Sequence, residues 1–217
     1  MNLPPIRICS VCALTVSTSL IMLGFWKPSA AAPLSSESEL KALELKGREY
    51  SNQKQWSKAQ SIYRRILEKR RKIWSASDPR LIGPLNDVIR VTCVDGKCSD
   101  TLPFLNDLLT IRIKRLGPWH ADVATTYALI AEAEEKMQRY QKAIKNFNEA
   151  TKIRDRVYGK TSGISVQSRM NVIRVALKMK DKVKAKAVMQ ECQTLLSAQN
   201  KPQPELEKVL SSYASKF

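Results

Sequence analysis

The stretch KMQRYQKAIKNFNEA, residues 136–150, decides the fold. Ala143, Ile144, Phe147 and Ala150 recur with helical spacing, so one face of this segment is apolar. Tyr127, Ile130, Ala131 and Glu134 run along a preceding helix in the same way. KMQRY (136–140) therefore joins two helices back to back. Its Lys142-Ala143 pair has counterparts at Lys58-Ala59 and Lys184-Ala185, at separations of 84 and 42 residues. A period of 42 predicts a fourth member at Thr101. Three residues before these points stand Trp56, Cys98, Tyr140 and Lys182. Four residues after them stand Tyr63, Leu105, Phe147 and Met189, each large and apolar. Ser75, Gly117 and Gly159 mark unit ends on the same period. The apolar spacing makes each unit a helix–turn–helix pair, and such pairs bury their apolar faces only by stacking.

Composition agrees. The 217 residues are 43% hydrophobic with only 7 glycines, enough apolar material for a continuous helical core. Basic residues outnumber acidic ones by 37 to 20. That surplus suits an acidic protein face, an anionic polymer or a lipid surface, or simply a solvated exterior. Residues 1–32 stand apart. Arg7 precedes nineteen uncharged residues (8–26), and KPSAAA follows, with Ser29 and Ala31 as the small residues a signal peptidase needs. The segment reads as a secretory signal cleaved after Ala31, or as an uncleaved membrane anchor. Both imply export to a periplasmic or secreted location.

The remaining boundaries follow the period. Residues 33–37 read as a linker, and 38–200 as four units of about 38–78, 79–120, 121–162 and 163–200. Residues 201–217 read as a capping helix with a proline start. Ser36 and Glu39 have capping-box spacing. Asp78-Pro79 suits an N-cap followed by the first helical position, and His120 holds the matching place one period later.

Leu43, Gly47, Tyr50, Trp56, Ala59 and Tyr63 in unit one, with Tyr127, Ala131, Tyr140, Ala143, Phe147 and Ala150 in unit three, carry a family likeness. The pattern resembles the tetratricopeptide repeat in its long, kinesin-light-chain-like form, and GPWHADVA (117–124) resembles that subgroup's inter-repeat loop. The likeness covers about residues 40–197. It implies an all-α, right-handed α-solenoid of about four hairpins plus a C-terminal capping helix. Departures fall at Ile89 and Ile173, where a small residue is usual, and at Thr101 and Lys182. Unit two is expected to pack loosely, with its first helix starting near Pro84.

The resemblance also implies a concave groove, lined by the first helix of each unit, that binds a peptide or protein segment. Aligned on the period, one groove column reads Arg48, Arg90, Glu132 and Arg174, and a second reads Asn52, Val94, Lys136 and Lys178. Asn86 stands where related repeats hold a ligand's backbone. Repeated guanidiniums suit carboxylates, which they grip bidentately. The expected partner is therefore an acidic peptide or protein, and the alternative is a solvated helix face. On the second helix, Arg64, Arg65, Lys69, Arg70, Arg71 and Lys72 form a basic run on the convex side, either solvated or a patch for an anionic envelope polymer or membrane surface. Nucleic acid is disfavoured, since no recognition motif accompanies the charge.

Cys93 and Cys98 flank Asp95-Gly96 at the hairpin turn of unit two. They read as a short disulfide clip or as a pair of packed thiols, with Cys192 left over. One histidine cannot build a metal site with distant cysteines, so no metal or cofactor is expected. No phosphate-binding loop, nucleophile elbow or zinc-protease motif is present, and the chain reads as a non-enzymatic scaffold.

Overall fold

Among the described residues, four helical hairpins follow one another and a ninth helix closes the last. The structure, a computed structural model, describes residues 34–198 and 202–216. The apolar segment 8–26 and its signal-or-anchor reading lie outside the described residues. The hairpins are α1 (Leu34–Asn52) with α2 (Trp56–Arg71), α3 (Ile82–Val94) with α4 (Leu102–Leu116), α5 (Ala121–Lys136) with α6 (Tyr140–Tyr158), and α7 (Gly163–Lys178) with α8 (Lys182–Ser197). A 3-10 turn, Pro79–Leu81, leads into α3, and another, Cys98–Thr101, leads into α4. The last helix, α9 (Pro204–Ala214), packs on α7 and α8 and buries Leu210 against them. The result is an all-α solenoid in which neighbours in sequence are neighbours in space.

The 42-residue period is written into the backbone. Lys54, Gly96, Gln138 and Lys180, one per hairpin, have positive φ angles of 56°, 80°, 59° and 61°. Each ends the first helix of its unit with the same pair of hydrogen bonds. The amide of the next residue (Gln55, Lys97, Arg139, Asp181) donates to the carbonyl five residues back, on Tyr50, Thr92, Glu134 and Ala176. The left-handed residue itself donates to Ser51, Cys93, Glu135 and Leu177. This is the Schellman arrangement, which satisfies carbonyls that the helix end would otherwise leave open. Only unit two supplies the glycine that the conformation favours.

Unit junctions repeat as well. Asp78, His120 and Ser162 each cap the helical turn that follows, accepting from the amides of Arg80 (2.9 Å), Asp122 (3.1 Å) and Ser165 (3.3 Å). The Arg80 side chain also bonds the Asp78 carboxylate and holds it down to about 2. Pro84 sits in the first turn of α3, where a missing amide proton breaks no helical bond. Ser36 is not a cap. It lies inside α1, which takes in residues 34–39, assigned by sequence to a linker and a helix start. Glu39 turns to α2 instead, meeting Arg65 at 3.1 Å and Lys69 at 2.8 Å.

Inside each hairpin a residue of the first helix faces a large residue of the second. The pairs, on the period, are Gly47 with Tyr63, Ile89 with Leu105, Ala131 with Phe147 and Ile173 with Met189. All are buried, and the last three pairs each share one core cluster. Where the second helix brings an aromatic ring, the first is trimmed to Gly or Ala. Where it brings Leu or Met, the first carries Ile. The departures at Ile89 and Ile173 are thus matched across the hairpin, which conserves volume. Unit two is unusual in another way: α3 packs on α2 and the Cys98–Thr101 turn as well as on α4. Its core is nevertheless closed, with Leu85, Val88, Val91, Leu108 and Ile111 fully buried. Thr101 is buried too, its hydroxyl donating to the Cys98 carbonyl at 2.6 Å.

A Cβ on Gly47 would lie 3.0 Å from Tyr63 Cζ and 3.3 Å from Ile62 Cγ2. Gly47→Ile is therefore expected to cost about 2–3 kcal/mol in urea unfolding. Adding Tyr63→Leu, which recreates the unit-two pair, should recover about 1 kcal/mol relative to the sum of the single changes. Glycine at Lys54, Gln138 or Lys180 should each raise stability by about 0.5–1 kcal/mol, because the left-handed strain is relieved. Gly96→Ala should lower it by a similar amount.

Candidate functional site

The first helices carry the residues expected to face a ligand. Arg48 on α1 and Arg90 on α3 are exposed, as are Asn52, Asn86 and Lys136. Arg48 and Arg90 converge on one cleft of about 250 Å³ between α1, α2 and α3, which Glu44, Tyr63, Arg70 and Asp87 also line. Arg48 has no ion-pair partner among the described residues. Arg90 makes a long contact of 3.5 Å with Asp87 and lies over the Tyr63 ring at 5.9 Å. Arg70, assigned by sequence to the convex run, turns into this cleft instead. It bonds Glu44, stacks on Trp74, and its Nε–H is buried with no acceptor in the protein.

The far end of the column is different. Arg174 and Lys178 on α7 both reach back to Glu135 on α5, with Lys178 Nζ at 2.7 Å. The Glu135 side chain is only 4% exposed. The two cations are internally engaged, a contact that a column read from sequence does not reveal. Glu132, beside them, keeps open surface but lies in a crowded concave setting. Desolvation there holds its carboxyl above the usual range, Glu135 adds to the effect, and Arg174 and Arg154 oppose it.

Sequence reasoning missed a second set of arginines. Arg70, Arg112 and Arg154 lie 42 residues apart on α2, α4 and α6. Arg112 donates to Thr126 Oγ1 at 2.8 Å, and Arg154 to Ser168 Oγ at 2.9 Å, the same bond at successive junctions. Pro84 replaces the hydroxyl at the first junction, which leaves Arg70 to Glu44. Burial pushes Arg154 below the usual guanidinium range. The period was the signal that could have found them, since it applies to second helices as well as first.

The expected convex patch does not form an open field of charge. Arg65 and Lys69 meet Glu39, Arg71 meets Asp107 on α4, and Arg64 lies over the Phe104 ring at 5.1 Å. Lys72 follows the last turn of α2 and is exposed. Carboxylates on neighbouring helices reach the basic side chains because α2 packs against α1 on one side and lies beside α4 on the other.

Cys93 and Cys98 are free thiols rather than a disulfide, and Cys98 Sγ lies 3.6 Å from the Cys93 carbonyl oxygen. Burial, with Cys98 beside it, pushes the Cys93 thiol up to about 12, and burial does the same to Cys192. Among the described residues no group of three or more His, Cys, Asp or Glu side chains could hold a metal. None of the described helices is long and apolar enough to cross a membrane.

A second cleft, of about 340 Å³ between α6, α7 and α8, centres on Arg169. This side chain is 8% exposed, grips Asp155 at 2.7 and 2.8 Å, and meets Glu191 at 2.6 Å. The Asp155 bonds raise its affinity for the proton further. All three of its nitrogens are bonded from within, so this cleft is a structural junction.

No protein-family model matches the chain, and no curated protein does. Solved structures do match. The nearly identical TPR-like repeats assigned to a kinesin light chain of Podosopora anserina superpose with a TM-score of 0.62 at 12% identity, covering 82% of this chain and 95% of that one. A point variant of that protein gives 0.62 at 13%, covering 82% and 94%. BtubC (BKLC) from P. vanneervenii gives 0.60 at 16%, covering 86% and 77%. The fold is that of kinesin-light-chain-like tetratricopeptide repeats. Identities this low speak to the fold alone.

Arg169→Ala would leave Asp155 largely buried and unpaired. It is expected to lower stability by about 3 kcal/mol in thermal or urea unfolding, while leaving the α1–α3 cleft intact.

Proposed function

We propose that the protein is an exported, non-enzymatic adaptor whose concave groove docks an extended acidic segment of a partner protein. The observation that carries this reading is the convergence of Arg48 and Arg90 on one cleft, with Arg70 at its floor. Guanidiniums presented from successive units match carboxylates at intervals along an extended peptide, and each charge-assisted hydrogen bond contributes about 1.5–3 kcal/mol. Tetratricopeptide folds offer this kind of concave surface to protein segments. The competing reading, a convex face that binds anionic polymer or lipid, is weakened by the pairing of Arg65, Lys69 and Arg71 with carboxylates. Export is part of the proposal and rests on residues 1–32.

Selection of a random displayed-peptide library on the folded protein tests the reading. Enriched peptides are expected to be rich in Asp and Glu. They should bind the Arg48→Ala/Arg90→Ala/Arg174→Ala variant at least about tenfold more weakly, corresponding to roughly 1.4 kcal/mol. An Arg65→Ala/Lys69→Ala/Arg71→Ala variant should bind as wild type does. Enrichment of neutral peptides, or indifference to the groove triple change, would remove the acidic-segment reading.

A further inference from the structure

We propose that the groove reads carboxylates at one end only, the cleft between α1, α2 and α3, and that Glu135 occupies the other end as a built-in stand-in for a ligand carboxylate. The inference rests on the groove reading above and assigns a polarity to it. The sequence column Arg48, Arg90, Glu132, Arg174 suggests a ladder interrupted once. The structure divides it into two unlike halves.

At the α1–α3 end, Arg48 is exposed and Arg90 has a 3.5 Å contact with Asp87 as its ion pair and lies over the Tyr63 ring. Arg70 lies in the same cleft, already bonded to Glu44 and with its Nε–H lacking an acceptor. Two guanidiniums can therefore close on an incoming carboxylate without breaking a strong internal pair. At the α5–α7 end Arg174 and Lys178 are donors of the same kind but are filled, and the exposed Lys136 lies beside Glu132. The Arg174 guanidinium spans both oxygens of Glu135, and Lys178 takes one of them. That carboxylate is supplied by the neighbouring unit, and its side chain is almost fully enclosed. Glu132 stands in the same part of the groove and repels a further anion.

The arrangement sets ligand chemistry and register. The preferred segment carries its Asp or Glu residues where it crosses α1 and α3. Where it crosses α5 and α7 it carries neutral hydrogen-bonding residues or a cation. A uniformly acidic chain gains from the first half and is opposed in the second. Glu135 is thus a specificity-determining residue that acts through Arg174 and Lys178, and its removal should turn a filled site into an open one.

Fluorescence anisotropy with a labelled hexaglutamate probe, and hexaglutamine as the neutral control, tests this at about 150 mM salt, where long-range attraction is screened. Arg48→Ala/Arg90→Ala should weaken hexaglutamate binding by about tenfold. Arg174→Ala/Lys178→Ala should change it by less than about twofold. Glu135→Gln, verified as folded by its circular dichroism, should tighten binding by about threefold or more, and adding Arg174→Ala should cancel that gain. Glu135→Asp, which keeps the charge, should give no gain. Equal losses from the two cation pairs would overturn the polarity while leaving the acidic-groove reading in place. A folded Glu135→Gln protein that gains nothing would overturn the stand-in role. If no groove substitution affects hexaglutamate binding, the acidic-groove reading falls and the polarity with it. Should Glu135→Gln fail to fold, the comparison of the two cation pairs still decides the polarity.

Discussion

The close approach of two helices within each hairpin is the constraint on which the rest depends. Gly47 admits the Tyr63 ring, Ala131 admits Phe147, and Ile89 and Ile173 meet Leu105 and Met189. Fixing that distance sets the turn, and the turn sets the left-handed residue at Lys54, Gly96, Gln138 and Lys180. The hairpin then presents one apolar flank to the next unit. Core clusters overlap along the array: Leu109 touches two of them, and Val188 joins the last two. The apolar surface of each pair is closed only by its neighbours, and α9 performs that service for the last hairpin.

Much of this was legible in the sequence, because the features that repeat are those fixed by backbone geometry. The period located the hairpins, the caps at Asp78 and His120, and the final proline-led helix. Where the reading failed, the cause was contact between helices that the period does not encode. Ser36 and the residues around it were assigned to a cap and a linker, yet α1 runs through them while Glu39 is pinned by two cations of α2. Ile89 looked like a defect in isolation and is a matched half of a pair. Arg70 looked convex and lines the cleft between α1, α2 and α3. A column of residues shows which positions are equivalent, but not which neighbouring helix answers them.

Electrostatics follows the same logic. The basic surplus is large, but much of it is not free. Arg65, Lys69, Arg71, Arg169, Arg174 and Lys178 all hold carboxylates from other helices. Such pairs join helices, within a unit and between units, and those with buried members define which helix lies beside which. On the proposed reading, recognition falls to groove cations without such partners, foremost Arg48.

Arg48 belongs to the first hairpin and Arg90 to the second, yet both open onto one cleft. In a one-dimensional array each interface contributes its own share of cooperativity. A carboxylate gripped from both sides would act as an additional interface term, raising the free energy of opening the junction between the first two units by its binding free energy. Occupancy of the groove would then be registered as mechanical continuity: the first hairpin, already sharing a core with the second, would be tied to it more tightly.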